Sequence, residues 1–246
     1  MSLTQIKAPS ISQERERELV CFLKDNNLEI DNLRLLNLAF THTSYANEIY
    51  KDAFRSYERL EFLGDSILGF VTADFLYRTF PNKLEGELSR IRAELVCEKN
   101  LAAVAEKLSL GDYLLLGNGE EQTGGRRRAS ITSDVVEALI AAAYLDGGFE
   151  AAKRIIQRHV LPQLAEAEKT RDYKTELQEL VQRKKEQHLS YELIGESGPD
   201  HCKEFTVQVS LNGAPVGCGT GSSKKRAEQA AARQAISALF PTQLHE

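Results

Sequence analysis

Near residue 170 the spacing of apolar side chains switches from a helical period to alternation, and one continuous architecture cannot serve both. Before the switch, Leu19, Phe22 and Leu23 recur at helical spacing, as do Leu35, Leu38 and Ala39. A longer pattern runs from about Tyr57 to Arg78 through Leu60, Leu63, Ile67, Phe70, Val71 and Leu76. Phe80-Pro81 closes it, since a helix rarely continues into proline. Further helices are expected over 84–95, 97–108 and "SDVVEALIAAAYLDGG", the last with Ser133 as cap and Gly147-Gly148 as stop. A final helix is expected over 149–168, whereas "LGNGEEQTGGRRRAS" has little periodicity and reads as an exposed loop. After the switch, "DYKTELQELVQRKKE" is helical and "LSYELIGES", "KEFTVQVSLNG" and "APVGCGTG" are strands. Phe205, Val207, Val209 and Leu211 share one face, and an alanine-rich helix closes the chain.

The reading is therefore multi-domain. An all-α domain over 13–168 precedes an α+β domain over 173–242, with order α-β-β-β-α and both helices on one face of an antiparallel sheet. Residues 1–12 are expected to be disordered and 169–172 to form a linker. Hydrophobic content of 42% and charged content of 27% are those of a soluble globular protein. No apolar run approaches the ~20 residues that span a bilayer, and the N-terminus lacks a secretory pattern. Cys21, Cys97, Cys202 and Cys218 have no metal-ligand spacing and read as reduced thiols of a cytoplasmic protein. The net charge is −5, yet the ten basic and ten acidic residues from Arg171 onward cancel. The whole excess thus lies in the first 170 residues, 21 basic against 26 acidic. That asymmetry suggests a division of labour between the halves.

"ERLEFLGDS" sharpens the point. Glu58, Glu61 and Asp65 lie at i, i+3 and i+7, one stripe of a helix, among residues built for burial. An acidic stripe is ordinarily a solvated surface, but no lysine or arginine stands at the i±4 positions that would pair these acids. Gly64 costs about 1 kcal/mol relative to alanine in a helix interior, and points to close approach of another backbone or a ligand beside Asp65. Asp134 and Glu137 form a second pair at i and i+3 followed by apolar residues. The helix dipole accounts for Asp134 near a helix start, but not for Glu137 one turn further in. Two such helices could converge on a shared site. Oxygen ligands without histidine or cysteine fit a hard cation, Mg²⁺ with Mn²⁺ as substitute, whose natural further ligand is a phosphate. Phosphodiester hydrolysis follows from that chemistry.

The tail carries an independent signal. "GTGSSKKRAEQAAA" puts Ser222, Ser223, Lys224, Lys225 and Arg226 at a helix start, where N–H groups, the helix dipole and three cations suit a phosphate backbone. A capped, solvated helix start is the plainer alternative. Thr175, Gln178, Glu179 and Gln182 along one face of the preceding helix suit 2′-hydroxyls and base edges of a shallow minor groove, and "GPDH" offers His201 to a neighbouring groove. Glu228 would repel phosphate and is read as a helix or core-edge residue. Arg126–Arg128 either contact a nucleic acid near the acids or keep a loop soluble. His42 and Ser44 read as a packing and turn element beside the "ERLEFLGDS" helix.

These residues carry a resemblance. "ERLEFLGDS", "SDVVEALIAAAYLD", "LAFTHTSYANE" and "EGELSRIRAELV" resemble the motifs of the ribonuclease III family, and the tail is similar to the double-stranded-RNA-binding domain. The resemblance covers essentially the whole chain. It implies Glu61, Asp65, Asp134 and Glu137 as inner metal-site carboxylates, with Asp65 and Glu137 catalytic, and Glu58 and Glu85 as two further metal-site acids that support the site or a second metal. For the tail it implies RNA contacts by Thr175, Gln178, Glu179, Gln182, Pro199, His201, Ser223, Lys224 and Lys225. It further implies an Mg²⁺-dependent endoribonuclease on double-stranded RNA, a homodimer through the 58–66 helix, and no membrane or small-molecule cofactor. Products with 5′-phosphate and 3′-hydroxyl ends and short 3′ overhangs, from ribosomal-RNA precursors and structured messenger RNAs, are the expectation. Two departures are Tyr57, where the family usually has asparagine, and "ITSD" in place of "ILAD"; neither removes an acid. A non-cleaving dimeric RNA clamp is the alternative, but it would be expected to have lost a carboxylate. An unrelated phosphohydrolase of small substrates leaves the second domain unexplained.

Overall fold

A computed structural model describes residues 8–164, 173–182, 187–199 and 203–240 of the 246-residue chain. The chain forms two compact units, Met1–Thr79 with Leu84–Glu166 and Phe80–Lys83 with Ala167–Glu246. The expected linker, 169–172, and most of the expected disordered N-terminus lie outside the described residues.

The first unit is helical throughout. α1 (Gln13–Asp25) begins at Ser12, whose Oγ accepts from the Arg15 N–H at 3.2 Å, and buries Leu19 and Phe22. α2 (Leu33–Ala39) is capped by Asn32, and Leu35, Leu36, Leu38 and Ala39 are buried. The single turn α3 (Thr43–Tyr45) leads through a π-turn at Ala46–Tyr50 and a 3-10 turn at Ala53–Arg55 into α4 (Glu58–Thr79). Then come α5 (Glu85–Leu95), α6 (Glu98–Lys107), α7 (Leu110–Tyr113), α8 (Asn118–Gln122) and α9 (Ala129–Ile155). α9 is the central helix: Val135, Val136 and Ala138 to Ala143 are all fully buried, as expected of a helix that is apolar all round. Its principal partner is α4.

Four expectations are corrected here. The glycine-rich stretch is not an open loop; it forms α8 and a 3-10 turn at Gly125–Arg127. Its arginines do more than keep it soluble. Arg126 bonds the carbonyls of Gly111 (3.0 Å) and Leu114 (2.8 Å) and pairs with Glu121 (2.6 Å), while Arg128 pairs with Glu120 and Thr123. Two of the three therefore hold the local fold together, and Arg127 is exposed to solvent. Ser133 is not a cap, because packing of Ile131 and Thr132 extends α9 back to Ala129; Ser133 Oγ donates instead to the Ser130 carbonyl at 2.8 Å. Phe70 does not join the core: it is 61% exposed, alongside Phe62 at 76% and Tyr77 at 74% on the same broad face of α4. Gly148 does break the helix, with φ 77° and ψ −172°, and a second helical segment continues from it.

The second unit has helix α10 (Tyr173–Gln182), strands β1 (Leu189–Ser197), β2 (Glu204–Leu211) and β3 (Ala214–Gly221), and helix α11 (Lys224–Leu239). The sheet is antiparallel in the order β1-β2-β3. Val207 and Val209 are buried against Leu177, Leu180, Val181, Ala231, Ala235 and Ile236, and Phe205 and Leu211 pack at the edge of the same core. Alanines on α11 and glycines on β3 allow helix and strand to touch: a Cβ at Gly219 would stand 2.1 Å from the Ala231 nitrogen.

Candidate metal centre and RNA-binding surface

Position in the first unit follows from where α4 and α9 cross. At the crossing a Cβ on Gly64 would lie 1.9 Å from the carbonyl oxygen of Glu137, so only glycine allows the two backbones to meet. That close approach sets the α4 acids flanking Gly64 beside the α9 acids. Carboxylate oxygens of Glu61, Asp134 and Glu137 lie within 4.8 Å of one another, each residue partly buried. Asp65 is exposed but close enough to act electrostatically on both Glu61 and Glu137. Glu58, exposed at the start of α4, acts on Glu61 and stands outside the three-residue cluster. Glu85 is not among the converging acids either. It opens α5, accepts from Ser89 at 2.7 Å, and lines a hollow of about 420 Å³ with Phe70, Tyr77, Leu88 and Arg92.

Among the described residues none of Glu58, Glu61, Asp65, Asp134 and Glu137 has a basic partner, and the protonation of Glu61, Asp134 and Glu137 shows the consequence. Burial first, and then the charges of Asp65, Asp134 and Glu61, push Glu137 up to about 8. Burial and Glu61 push Asp134 up to about 6, and burial with Glu58 raises Glu61. Uncompensated carboxylates held together in this way have the donor set of a hard divalent cation.

Tyr57, noted in sequence as a departure, lies within electrostatic reach of Asp134, Glu61 and Glu58. It is buried, 3% exposed, and its ring packs 5.7 Å from that of His42. Only its departure from the usual asparagine marked the position in sequence. His42 and Ser44 are the expected turn element: His42 Nδ1 accepts from the Ser44 N–H (3.1 Å), and Ser44 Oγ from the Gly117 N–H (2.9 Å).

In the second unit Thr175, Gln178, Glu179 and Gln182 are all exposed on α10, opposite the buried Leu177, Leu180 and Val181. Ser223 caps α11 by accepting from the Arg226 N–H, and Lys224 and Lys225 are exposed at the helix start. Arg226 is exposed as well and also bonds Ser222 Oγ at 3.0 Å. Glu228 pairs with Lys174 at 2.7 Å, in keeping with a helix-edge role. Pro199 is exposed after β1, and His201 lies outside the described residues.

Comparison with known proteins agrees with both halves. A ribonuclease-III-like family model matches residues 32–164, and a double-stranded RNA binding motif matches 173–239. The protein named ribonuclease 3 of Halalkalibacterium halodurans is 41% identical over 96% of this chain and 90% of its own length. That of Caldanaerobacter subterraneus is 48% identical over 87% of this chain and 94% of its own. A crystal structure of the ribonuclease III nuclease domain from Campylobacter jejuni superposes with a TM-score of 0.53 at 37% identity, over 63% of this chain and 97% of that one. A second structure of that domain (TM-score 0.52, 40% identity, 56% of this chain and 93% of that one) concerns flexibility in a region involved in dimer formation.

Proposed function

The chain belongs to the ribonuclease III family, and on that premise we propose that it hydrolyses phosphodiester bonds of double-stranded RNA with Mg²⁺ held by its acidic cluster. It is a double-stranded-RNA-specific endoribonuclease in which residues 13–168 cut and residues 173–242 bind the duplex. The observation that carries the metal assignment is the convergence of Glu61, Asp134 and Glu137 within 4.8 Å without a cationic partner among the described residues. Those three with Asp65 would hold the cation, and Mn²⁺ would substitute. When bound, the cation supplies Lewis acidity that polarises the scissile phosphate and acidifies water. Asp65, exposed beside Glu61 and Glu137, is assigned to receive the proton of the attacking water, and Glu137 to orient the cluster toward the phosphate. Glu58 supports the site through its charge on Glu61; Glu85 supports it from the start of α5.

Products carry 5′-phosphate and 3′-hydroxyl ends with short 3′ overhangs, and ribosomal-RNA precursors and structured messenger RNAs in the cytoplasm are the substrates. The exposed Phe62, Phe70 and Tyr77 support a homodimer through α4, a surface too apolar to face water alone. Among the described residues no helix is long and apolar enough to cross a membrane. On the second unit, Thr175, Gln178, Glu179 and Gln182 address the minor groove, Pro199 and His201 a neighbouring groove, and Ser223, Lys224 and Lys225 the phosphates between. The test is cleavage of a long RNA duplex. The native protein with Mg²⁺ cuts it; Glu137→Gln, or Ca²⁺ in place of Mg²⁺, gives binding without cutting. Robust cutting by Glu137→Gln would overturn the site assignment.

A further inference from the structure

Two surfaces of the second unit face a duplex in the reading above: the exposed side of α10 from Thr175 to Gln182, and the start of α11 at Lys224 and Lys225. They belong to different helices, so a rigid duplex meets both only at one separation of the two. Lys174, the residue before Thr175, spans the gap. Its Nζ donates to Glu228 Oε2 at 2.7 Å, and its backbone N–H donates to Gln229 Oε1 at 3.2 Å. On a helix, Glu228 and Gln229 stand one turn beyond Lys224 and Lys225. The same ammonium lies 4.7 Å from the centre of the Tyr191 ring on β1, and the Tyr173 ring lies 5.7 Å from the Arg233 guanidinium of α11. Leu177, Leu180 and Val181 pack the rest of α10 onto the core. Apolar packing is non-directional, whereas a charge-assisted hydrogen bond fixes one arrangement.

We propose that Lys174 and Glu228 are positioning residues for duplex RNA: their ion pair sets the register of α10 on α11, and with it the spacing between the minor-groove face and the phosphate-binding helix start. The inference rests on the RNA-binding reading above. It accounts for an acid beside a phosphate site. Glu228 lies one turn from Lys224, where its charge by itself repels a polyanion, so a favourable effect on binding has to come through Lys174. Such a domain reads the shape of a duplex rather than its sequence, so a fixed spacing carries selectivity for A-form geometry.

The experiment is equilibrium binding of the full-length protein to a long RNA duplex across a salt series, without divalent cation so that nothing is cut. Glu228→Ala should weaken binding about threefold, although it removes a negative charge near the phosphates, and should leave the slope of log affinity against log salt as in the native protein. Lys174→Met should do the same, and the double variant should be no worse than either single one. Lys174→Arg, which keeps a cation for Glu228 and the Tyr191 ring, should bind as the native chain does. In cleavage with Mg²⁺ the effect of Glu228→Ala should fall on KM for RNA and not on kcat. Unchanged or tighter binding by Glu228→Ala, measured well below its melting temperature, overturns the proposal even where the variant melts earlier. A slope lower by about one in Lys174→Met, the mark of a lost phosphate contact, also overturns it and makes Lys174 a direct ligand. Absence of duplex binding by the native protein overturns both the proposal and the RNA-binding reading.

Discussion

Glu137 is the residue whose chemistry departs furthest from that of its type. Held up at about 8 by burial and three neighbouring acids, it is protonated in the metal-free fold at neutral pH, whereas an unfolded glutamate is ionised. A carboxyl whose pKa is raised on folding binds more protons in the folded state, so stability falls as pH rises from the unfolded pKa toward the folded one. His42 and His159 are both depressed by burial, so they are neutral at the alkaline end and do not oppose this trend there. The melting temperature of the metal-free protein should therefore decline between about pH 6.5 and 8. Saturating Mn²⁺ should remove the decline, because a cation replaces the protons, and the stabilisation by Mn²⁺ should be larger at the alkaline end. Glu137→Gln should flatten the metal-free profile. A native profile already flat without metal would contradict the shift assigned to Glu137.

Among the helices, the decisive feature is the crossing of α4 and α9. Gly64 is the α4 glycine whose missing side chain matters there, and it lies between Glu61 and Asp65, so the helix approach and the acid placement are one feature. The short elements before α9 are secured differently, by polar side chains reaching backbone carbonyls. Arg126 satisfies two carbonyls at α7 and its C-terminal end and an acid of α8 at once. Arg126→Ala removes both of these bonds, leaving Gly111 only the Leu114 N–H at 3.4 Å, and should destabilise the protein by about 2 kcal/mol in denaturant titration. It should leave the salt dependence of RNA binding unchanged. A flatter salt dependence in that variant would restore the RNA-contact reading.

The two units make separate demands on the chain as a whole. The acidic first unit concentrates negative charge to attract a cation, although its substrate is a polyanion. The second unit, with balanced charge overall, presents Lys224 and Lys225 at the start of α11 where Ser223 and the helix dipole already favour phosphate. Lys224→Ala/Lys225→Ala should weaken binding to an RNA duplex and lower the slope of log affinity against log salt by about two, one for each phosphate no longer neutralised. Cleavage at saturating RNA should survive, because neither lysine belongs to the acidic cluster. An unchanged slope would mean that this helix start does not meet the backbone of the RNA.

Much of this was legible in the chain itself, for a local reason. Hydrophobic period is set by residues a few positions apart, so the helical half, the three strands and the bounds of α4, α5 and α6 could be read directly. The unpaired acids were legible too, since the missing i±4 partners are visible in the sequence, as is a glycine that a lone helix would not favour. What sequence could not supply depends on residues distant along the chain. The resemblance named the inner acids, but that Glu61 comes within 4.8 Å of Asp134 and Glu137 follows from where α4 crosses α9. Ser133 looked like a cap because capping rules are local, while burial of the preceding turn moved the helix start. Tyr57 carries no motif that names its neighbours. Its burial at the start of α4, with its ring against His42, exists only because packing brings segments distant in local pattern together.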